Sequence, residues 1–327
     1  MQKLFLTLAT IGCLNVPAYA QDVDSMAGAQ AEKEAETHSM RDELNGLKSD
    51  INDSEQAMQN LQQKMAEQKK VKEFHLFAKE GELELCPGAT VHALTYNGQS
   101  PGPTIRVAVG DAVRVVLHNQ LQSPTSLYFQ GLTLPYKVDG LPHKEAGLVQ
   151  PGASYAYQFV ANQIGTFWYH PQVINADQQA QGLSGVLIVE PREDKPYDRD
   201  YIFLLGQWHT PQAVTYFSVN GKSAPDTKPI EVNKGEKILL RVINTTGQVF
   251  PLSLTGHRFE IISINGSDPS EPHMLRDTVS VNPLDHMDLL FTADNPGVWS
   301  LSSGLINQTT NNGKFPGGIA TVVRYQE

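Results

Sequence analysis

Residues 107–119 read VAVGDAVRVVLHN, and residues 231–244 read EVNKGEKILLRVIN. Each begins with a short run, turns at a glycine followed by an acidic residue (Gly110–Asp111, Gly235–Glu236), and resumes in Val, Leu and Ile. Apolar–polar alternation of period two sends successive side chains to opposite faces, as in a strand lying on a core. The glycine supplies the left-handed backbone that such a turn needs. The same phrase met twice predicts an internal repeat at the scale of a domain. Outward from the first copy, strands are expected around Val91–Tyr96, Thr104–Val107 and Ala112–Leu117, with NGQSPGP as a turn. ASYAYQFVA, GTFWYH and GVLIVEP continue the pattern, and YIFLLGQW, FPLSLTG, MDLLFTA, GVWSLSSG and IATVVRY repeat it around the second copy. Between the two sets, PREDKPYDRD (191–200) combines proline with charge, as linkers do. With 26 glycines and 20 prolines in 327 residues, the reading is mainly β: two similar sandwiches in tandem.

The N-terminal part is written differently. MQKLFLTLATIGCLNVPAYA, residues 1–20, has a positive Lys3, an apolar stretch too short to span a bilayer, and small residues before Gln21, and reads as a signal peptide. Cys13 leaves lipoprotein processing as an alternative. Residues 21–39 are polar and aperiodic and are expected to be flexible. Over 40–72 a heptad repeat follows, with Leu44, Ile51, Met58 and Met65 on one seam and Met40, Leu47, Ser54, Leu61 and Gln68 on the other. A self-associating coiled-coil helix is expected; a single amphipathic helix packed on its own domain is the alternative. Cleavage after Ala20 leaves Cys86 as the lone thiol, expected to be packed and inert, with no internal disulfide. The net charge of −10 argues against nucleic acid or an anionic membrane surface as partner.

YNGQSPGPTIRVAVGD, VDGLPH, VQPGASYAYQF, GTFWYHPQ, GLSGVLIVEP, DTVSVNP and FTADNPGVWS together resemble the multicopper oxidases, above all their two-domain, laccase-like members. The resemblance covers roughly 73–325. It implies two Greek-key cupredoxin sandwiches, 73–192 and 201–327, joined by a linker at 193–200. It also implies a homotrimer with copper clusters between the first domain of one subunit and the second of its neighbour, a symmetry that a three-stranded helix would match.

The family carries its copper ligands in four short motifs, and the corresponding positions here read otherwise. Where the first has His-x-His-Gly, this chain has Tyr128, Phe129, Gln130 and Gly131; where the second has Tyr-His-x-His, it has Tyr169, His170, Pro171 and Gln172. The third motif's histidines map onto Phe250, Ser253 and Thr255. The fourth, His-Cys-His followed by a histidine and a methionine, maps onto Ser302, Ser303 and Gly304, then Gln308 and Lys314. Only His170 keeps a ligand-type residue, and affinity for copper needs several donors converging. On this reading no copper or other cofactor is expected to be retained, no catalytic residue is assigned, and the chain is expected not to be an enzyme.

Tyr128, Gln130, Gln172, Ser253, Thr255 and Ser302 are expected either to bond to one another across a subunit contact or to line a small polar pocket. His257 reads as a structural histidine, His143 as a surface one, and Asp285–His286 as a solvated turn. His75, His92, His118, His209 and His273 read as scattered, without paired metal spacing. The functional expectation is an exported, periplasmic, non-catalytic trimeric module of the cell envelope, with an envelope protein as a conceivable partner. A copper-handling protein or a divergent laccase-like oxidoreductase is the alternative.

Overall fold

The computed structural model describes residues 37–56, 58, 71–135, 138, 147–172, 177–193, 195–267 and 274–326. The chain divides into two units, Met1–Ala66 and Glu67–Glu327. In the first unit a helix, α1, runs over 37–56, with Met40, Leu44, Leu47 and Ile51 exposed along it. The expected signal peptide, most of the 21–39 segment and most of the second half of the heptad run lie outside the described residues. Two boundaries need correction. Residues 37–39, expected to be flexible, are helical, and Lys72, placed at the end of the helix, already belongs to a strand.

The second unit is built of strands. In its first half these are β1 (Lys72–Cys86), β2 (Ala89–Tyr96), β3 (Ile105–Ala108), β4 (Ala112–Asn119), β5 (Tyr128–Gln130), β6 (Ser154–Val160), β7 (Gly165–His170) and β8 (Gly185–Glu190), with a short helix, α2 (Asp177–Ala180), before β8. In its second half they are β9 (Arg199–His209), β10 (Thr215–Val219), β11 (Ile230–Val232), β12 (Lys237–Asn244), β13 (Phe250–Leu254), β14 (Phe259–Ile264), β15 (Leu275–Arg276), β16 (Thr278–Val281), β17 (His286–Thr292), β18 (Val298–Ser303) and β19 (Ala320–Tyr325). Arg199 and Asp200 were assigned to the linker; they open β9 instead, pairing with Ile238 and Leu239 of β12.

The repeat seen in sequence is a repeat of topology. The first half forms sheets of order β2-β1-β4-β6 and β3-β8-β7-β5; the second forms β10-β9-β12-β17-β14-β15 and β11-β19-β18-β13-β16. Removing β14, β15 and β16 leaves the same two orders. The parallel pairs fall at matching places: β1 with β4 and β3 with β8, then β9 with β12 and β11 with β19. Gly110 and Gly235, the glycines of the repeated phrase, both take positive φ, 85° and 91°.

β4 and β12 are the repeated strands, and they differ in one respect that organises the molecule. Val113, Val115 and Leu117 of β4 enter the first core, and Ile238, Leu240 and Val242 of β12 enter the second. On its other face β4 presents Arg114 and His118 to solvent, whereas β12 is buried on both faces. Ile243 of β12, with Leu204 of β9, packs against Trp168, Val186 and Ile188 of the first domain. The non-alternating run ILLRVI, apolar but for Arg241, is therefore the mark of the strand sandwiched between domains. Beyond it, the β1–β2 hairpin packs Leu85, Cys86 and Val91 against Trp208 of the second domain. Cys86 is a buried free thiol there, as expected, and burial raises its pKa.

Candidate functional site

β5 is only three residues long, and its register on β7 sets Tyr128 opposite His170, Phe129 opposite Tyr169 and Gln130 opposite Trp168. Strand alternation sends Phe129 into the first core and leaves Tyr128 and Gln130 half-buried on the other face. That face holds His170, whose ring stacks on Trp168 at 4.1 Å and meets Tyr128 edge-on at 5.5 Å. His170 is buried, and burial pushes its pKa down to about 4, so it is neutral at physiological pH. Its Nδ1 lies 3.0 Å from the Pro171 carbonyl oxygen, which fixes the proton on Nδ1; its Nε2 is buried without a partner. Trp168 Nε1 is likewise unpartnered. Gln172 is exposed, its backbone N–H donating to Ser126 Oγ at 3.0 Å.

In the second domain the corresponding positions separate onto two faces of β13. Phe250, Leu252 and Leu254 point into the core; Pro251 and Ser253 point out. Phe250, placed among the site positions by motif, is thus a fully buried core side chain. On the outer face Ser253 stands opposite Ser302 of β18 and opposite Thr278 of β16, whose hydroxyl lies 3.2 Å from Ser253 Oγ. Ser300 and Ser302 hydroxyls approach to 3.3 Å, and Thr255 Oγ1 accepts from the Ser300 N–H at 2.9 Å. The result is a continuous row of short hydroxyls across the sheet. Gly304 and Lys314 are exposed and lie outside this row.

A separate buried pair forms where the family motif has a thiolate and an imidazole. The Ser303 hydroxyl donates to Gln308 Oε1 at 2.5 Å, and Gln308 Nε2 donates to the Val249 carbonyl at 2.9 Å. Both residues are buried. Ser303→Ala would leave Gln308 Oε1 in a dry site with no donor, at a cost of about 1–3 kcal/mol. Urea unfolding of the variant checks this, and an unchanged midpoint would show that the pair contributes nothing.

These side chains can be weighed against copper directly. Among the described residues His170 Nε2 is the one buried imidazole nitrogen without a partner, and it is ligand-like. The rest of the inherited set offers aromatic rings, hydroxyls and amides, which copper takes poorly beside thiolate and imidazole. Among the described residues no three His, Cys, Asp or Glu side chains converge on one point. The inherited positions of this chain and a copper cluster do not fit.

The other histidines fall unevenly. His257 is satisfied as expected, its Nε2 2.7 Å from the Tyr325 hydroxyl. His92 and His209 are exposed, and His143 and His273 lie outside the described residues. Two readings are corrected. His286 is no solvated turn residue: it opens β17, is buried, and sits 5.8 Å from the Phe167 ring across the domain boundary, with burial lowering its pKa. His75 and His118, read as scattered, touch each other on the outer face of the first sheet. Sequence also passed over Arg241, Asp288 and Thr166, which form a buried polar knot between the domains. An arginine inside the apolar run KILLRVIN was its available signal.

Comparison with known proteins bears on all of this. Two multicopper oxidase family models match the chain, one over residues 78–194 and the other over 200–307. The crystal structure of a blue copper oxidase from Nitrosomonas europaea superposes with a TM-score of 0.74 at 32% identity, covering 78% of this chain and 86% of that one. Copper resistance protein A of Escherichia coli is 35% identical over 123 residues, 37% of this chain and 20% of that protein. A multicopper oxidase of Staphylococcus epidermidis is 27% identical over 264 residues, 73% of this chain and 58% of that protein. The chain thus spans a minor part of the copper resistance proteins it matches and somewhat over half of the staphylococcal oxidase. Two expectations are overturned by these matches. That the chain is no enzyme and has no cofactor does not hold against relatives that are named multicopper oxidases across both of its domains. The misfit described above is a property of particular positions in one chain, and it does not remove the chain from its kin. With both sandwiches, their repeat and the matched solved structure in agreement, the chain belongs to the multicopper oxidase family.

Proposed function

We propose that this protein is an exported, periplasmic member of the family that serves copper handling as a homotrimer, with copper as its cargo. The observation that carries the assembly is the apolar stripe on α1: Met40, Leu44, Leu47 and Ile51 are all more than half exposed, at heptad spacing. A helix of that length gains little stability alone in water, and burying such a stripe against identical helices supplies what it lacks. The hydroxyl row of Ser253, Ser302 and Thr278 and the Tyr128–His170 face are the inherited surfaces that would meet across protomers, bonding hydroxyl to amide. Copper handling is supported by the names of two relatives, copper resistance proteins at 35% and 36% identity over 123 and 118 residues. Export is supported by the leader-like residues 1–20, and no helix among the described residues is long and apolar enough to cross a membrane.

Light scattering on the full-length protein is expected to give about three times the mass of one chain, 36.0 kDa before any leader is removed. Leu47→Glu combined with Ile51→Glu should shift it toward the single-chain mass. A monomeric wild type would reject the trimer. For the cargo, a strain lacking the protein is expected to grow less well under copper stress; unaltered tolerance would reject that part.

A further inference from the structure

Asparagine is followed by glycine at 45–46, 97–98, 220–221, 265–266 and 312–313. The first of these pairs lies inside α1, where the glycine N–H is taken up by the helical ladder. The other four form the same two-residue hairpin turn. In each the flanking residues exchange backbone hydrogen bonds: Tyr96 with Gln99, Val219 with Lys222, Ile264 with Ser267, and Asn311 with Lys314. Asn97, Asn220, Asn265 and Asn312 are all left-handed, with φ of 56°, 50°, 53° and 50°. Asn-Gly is the favoured pair for such a turn.

Alike in backbone, the four turns differ in what holds the asparagine side chain. Asn97 Oδ1 accepts from the Phe77 N–H at 2.7 Å, and its Nδ2 donates to the His75 carbonyl at 3.0 Å. Asn220 repeats the arrangement in the second domain, accepting from the Leu204 N–H at 2.9 Å and donating to the Ile202 carbonyl at 2.7 Å. Asn265 accepts from the His286 N–H at 3.0 Å and donates to Asp285 Oδ1 at 2.9 Å. Asn312 makes no such bonds: its side chain is exposed and has no hydrogen-bond partner among the described residues. Gly221 is packed against Ser100 and Gly266 against Gln163 and Phe167, whereas the space beside Gly313 is open. The Asn312 turn also continues no strand, since β18 ends at Ser303 and β19 begins at Ala320.

An asparagine before glycine is open to an intramolecular substitution. The glycine backbone nitrogen gives up its proton and attacks the asparagine Cγ; a C–N bond forms, the Cγ–Nδ2 bond breaks, and the nitrogen leaves as ammonia. Water then opens the cyclic imide at either carbonyl, leaving an aspartyl or an isoaspartyl residue. Nothing is oxidised or reduced, and water is the only co-reactant. Cγ must swing onto the glycine nitrogen, so an amide held at both ends has to release two hydrogen bonds first. We propose that Asn312 is the site at which the folded β unit modifies itself by deamidation, gaining one negative charge in the segment between Gln308 and β19. The neighbouring Asn311 keeps that segment anchored while the turn changes. Its Oδ1 accepts from the Ser223 hydroxyl at 2.7 Å and the Gly318 N–H at 2.9 Å, and its Nδ2 donates to the Ala224 carbonyl at 2.8 Å.

Ageing the full-length protein in mildly alkaline buffer, followed by digestion at acid pH and peptide mapping by mass spectrometry, tests it. Asn312 is expected to lose its amide about tenfold or more faster than Asn97, Asn220 or Asn265, the effect of the two hydrogen bonds each of those must break. Ageing the same protein in urea, where every clamp is gone, should bring the four rates together. On ion exchange the aged protein should give a more acidic species eluting with the Asn312→Asp variant, and an isoaspartyl assay should mark the peptide holding residue 312. The proposal is overturned if any clamped asparagine keeps pace with Asn312 in the folded protein. It is equally overturned if the advantage of Asn312 persists in urea, because the neighbouring sequence rather than the fold would then set the rate.

Discussion

Arg241→Ala is expected to lower the unfolding free energy by about 3–5 kcal/mol, the usual cost of removing one partner from a buried ion pair. Arg241 lies on the face of β12 that the first domain covers, and each of its three guanidinium nitrogens has a hydrogen-bond partner. Nε donates to Asp200 at 2.6 Å, one terminal nitrogen to Thr166 at 2.7 Å and the other to the Tyr197 hydroxyl at 2.7 Å. Asp288 stands 3.6 Å away and accepts from the Thr166 hydroxyl at 2.5 Å. Thr166 belongs to the first domain and Asp288 to the second, so the same group that neutralises the carboxylates also ties the domains together. Burial raises the pKa of Asp288, against the opposing pull of Arg241 and Thr166. Burial also pushes Asp200 upward, but there the hydrogen bonds and charges of Arg106 and Arg241 outweigh it and the pKa is lowered.

The pH dependence of this variant has a definite sign. A carboxyl with a raised folded pKa favours the fold at low pH and loses that contribution as pH rises through the folded value. Without Arg241 the folded pKa of Asp288 moves higher still, and Asp200 gives up part of the stabilisation it supplies above its unfolded value. Both effects make the deficit largest at neutral and alkaline pH and narrow it on acidification. Urea unfolding of wild type and variant at two pH values measures it; a deficit below about 1 kcal/mol, or one independent of pH, would contradict the account. Arg241→Lys should fall between, since one ammonium cannot reproduce a fork with separate partners.

The sandwich architecture was legible because its evidence is local. A glycine turn followed by alternation recurs at Gly110 and Gly235, and the topology on either side of it recurs too. The boundaries were less so: proline and charge at 191–198 signal a linker, but only pairing with β12 shows that Arg199 and Asp200 have already entered a strand. At the candidate site, the motifs gave Tyr128, Gln130 and His170 as positions along the chain, and it is the short β5–β7 pairing that sets them on one face. Motif spacing failed where position along a motif and direction of the side chain part company. His75 and His118 are 43 residues apart, and only the parallel pairing of β1 with β4 makes them neighbours. His286 looked solvated because a turn precedes it, yet the domain contact that buries it is invisible to any local window. Arg241 is the instructive case, since one charge in an apolar run reads as an edge until a second domain is laid over it.

Phe250→Ala is expected to cost about 3–5 kcal/mol, the range for truncating a buried aromatic side chain. The motif alignment puts Phe250 where the family has a ligand, which would lead one to expect a tolerant, functional position. The strand says otherwise: in FPLSL the residues Phe250, Leu252 and Leu254 share the inward face, and Phe250 has no exposed surface. Its ring meets Phe217 edge-on at 5.6 Å, an arrangement that adds to the area it buries. Val249 precedes it and Leu252 follows two residues on, and each is tied to the Ser303–Gln308 pair, Val249 through its carbonyl and Leu252 through its register with Ser303. Truncation would therefore open a cavity beside a buried polar pair whose geometry depends on the same strand. Phe250→Leu, retaining much of the volume, should lose far less, while Phe250→His should be costly despite its bulk, because it sets an imidazole N–H among apolar side chains. Equilibrium unfolding of the three variants distinguishes the readings. If alanine costs less than about 1 kcal/mol, or histidine is tolerated as well as leucine, the position is not core and the inward register of β13 has been misread.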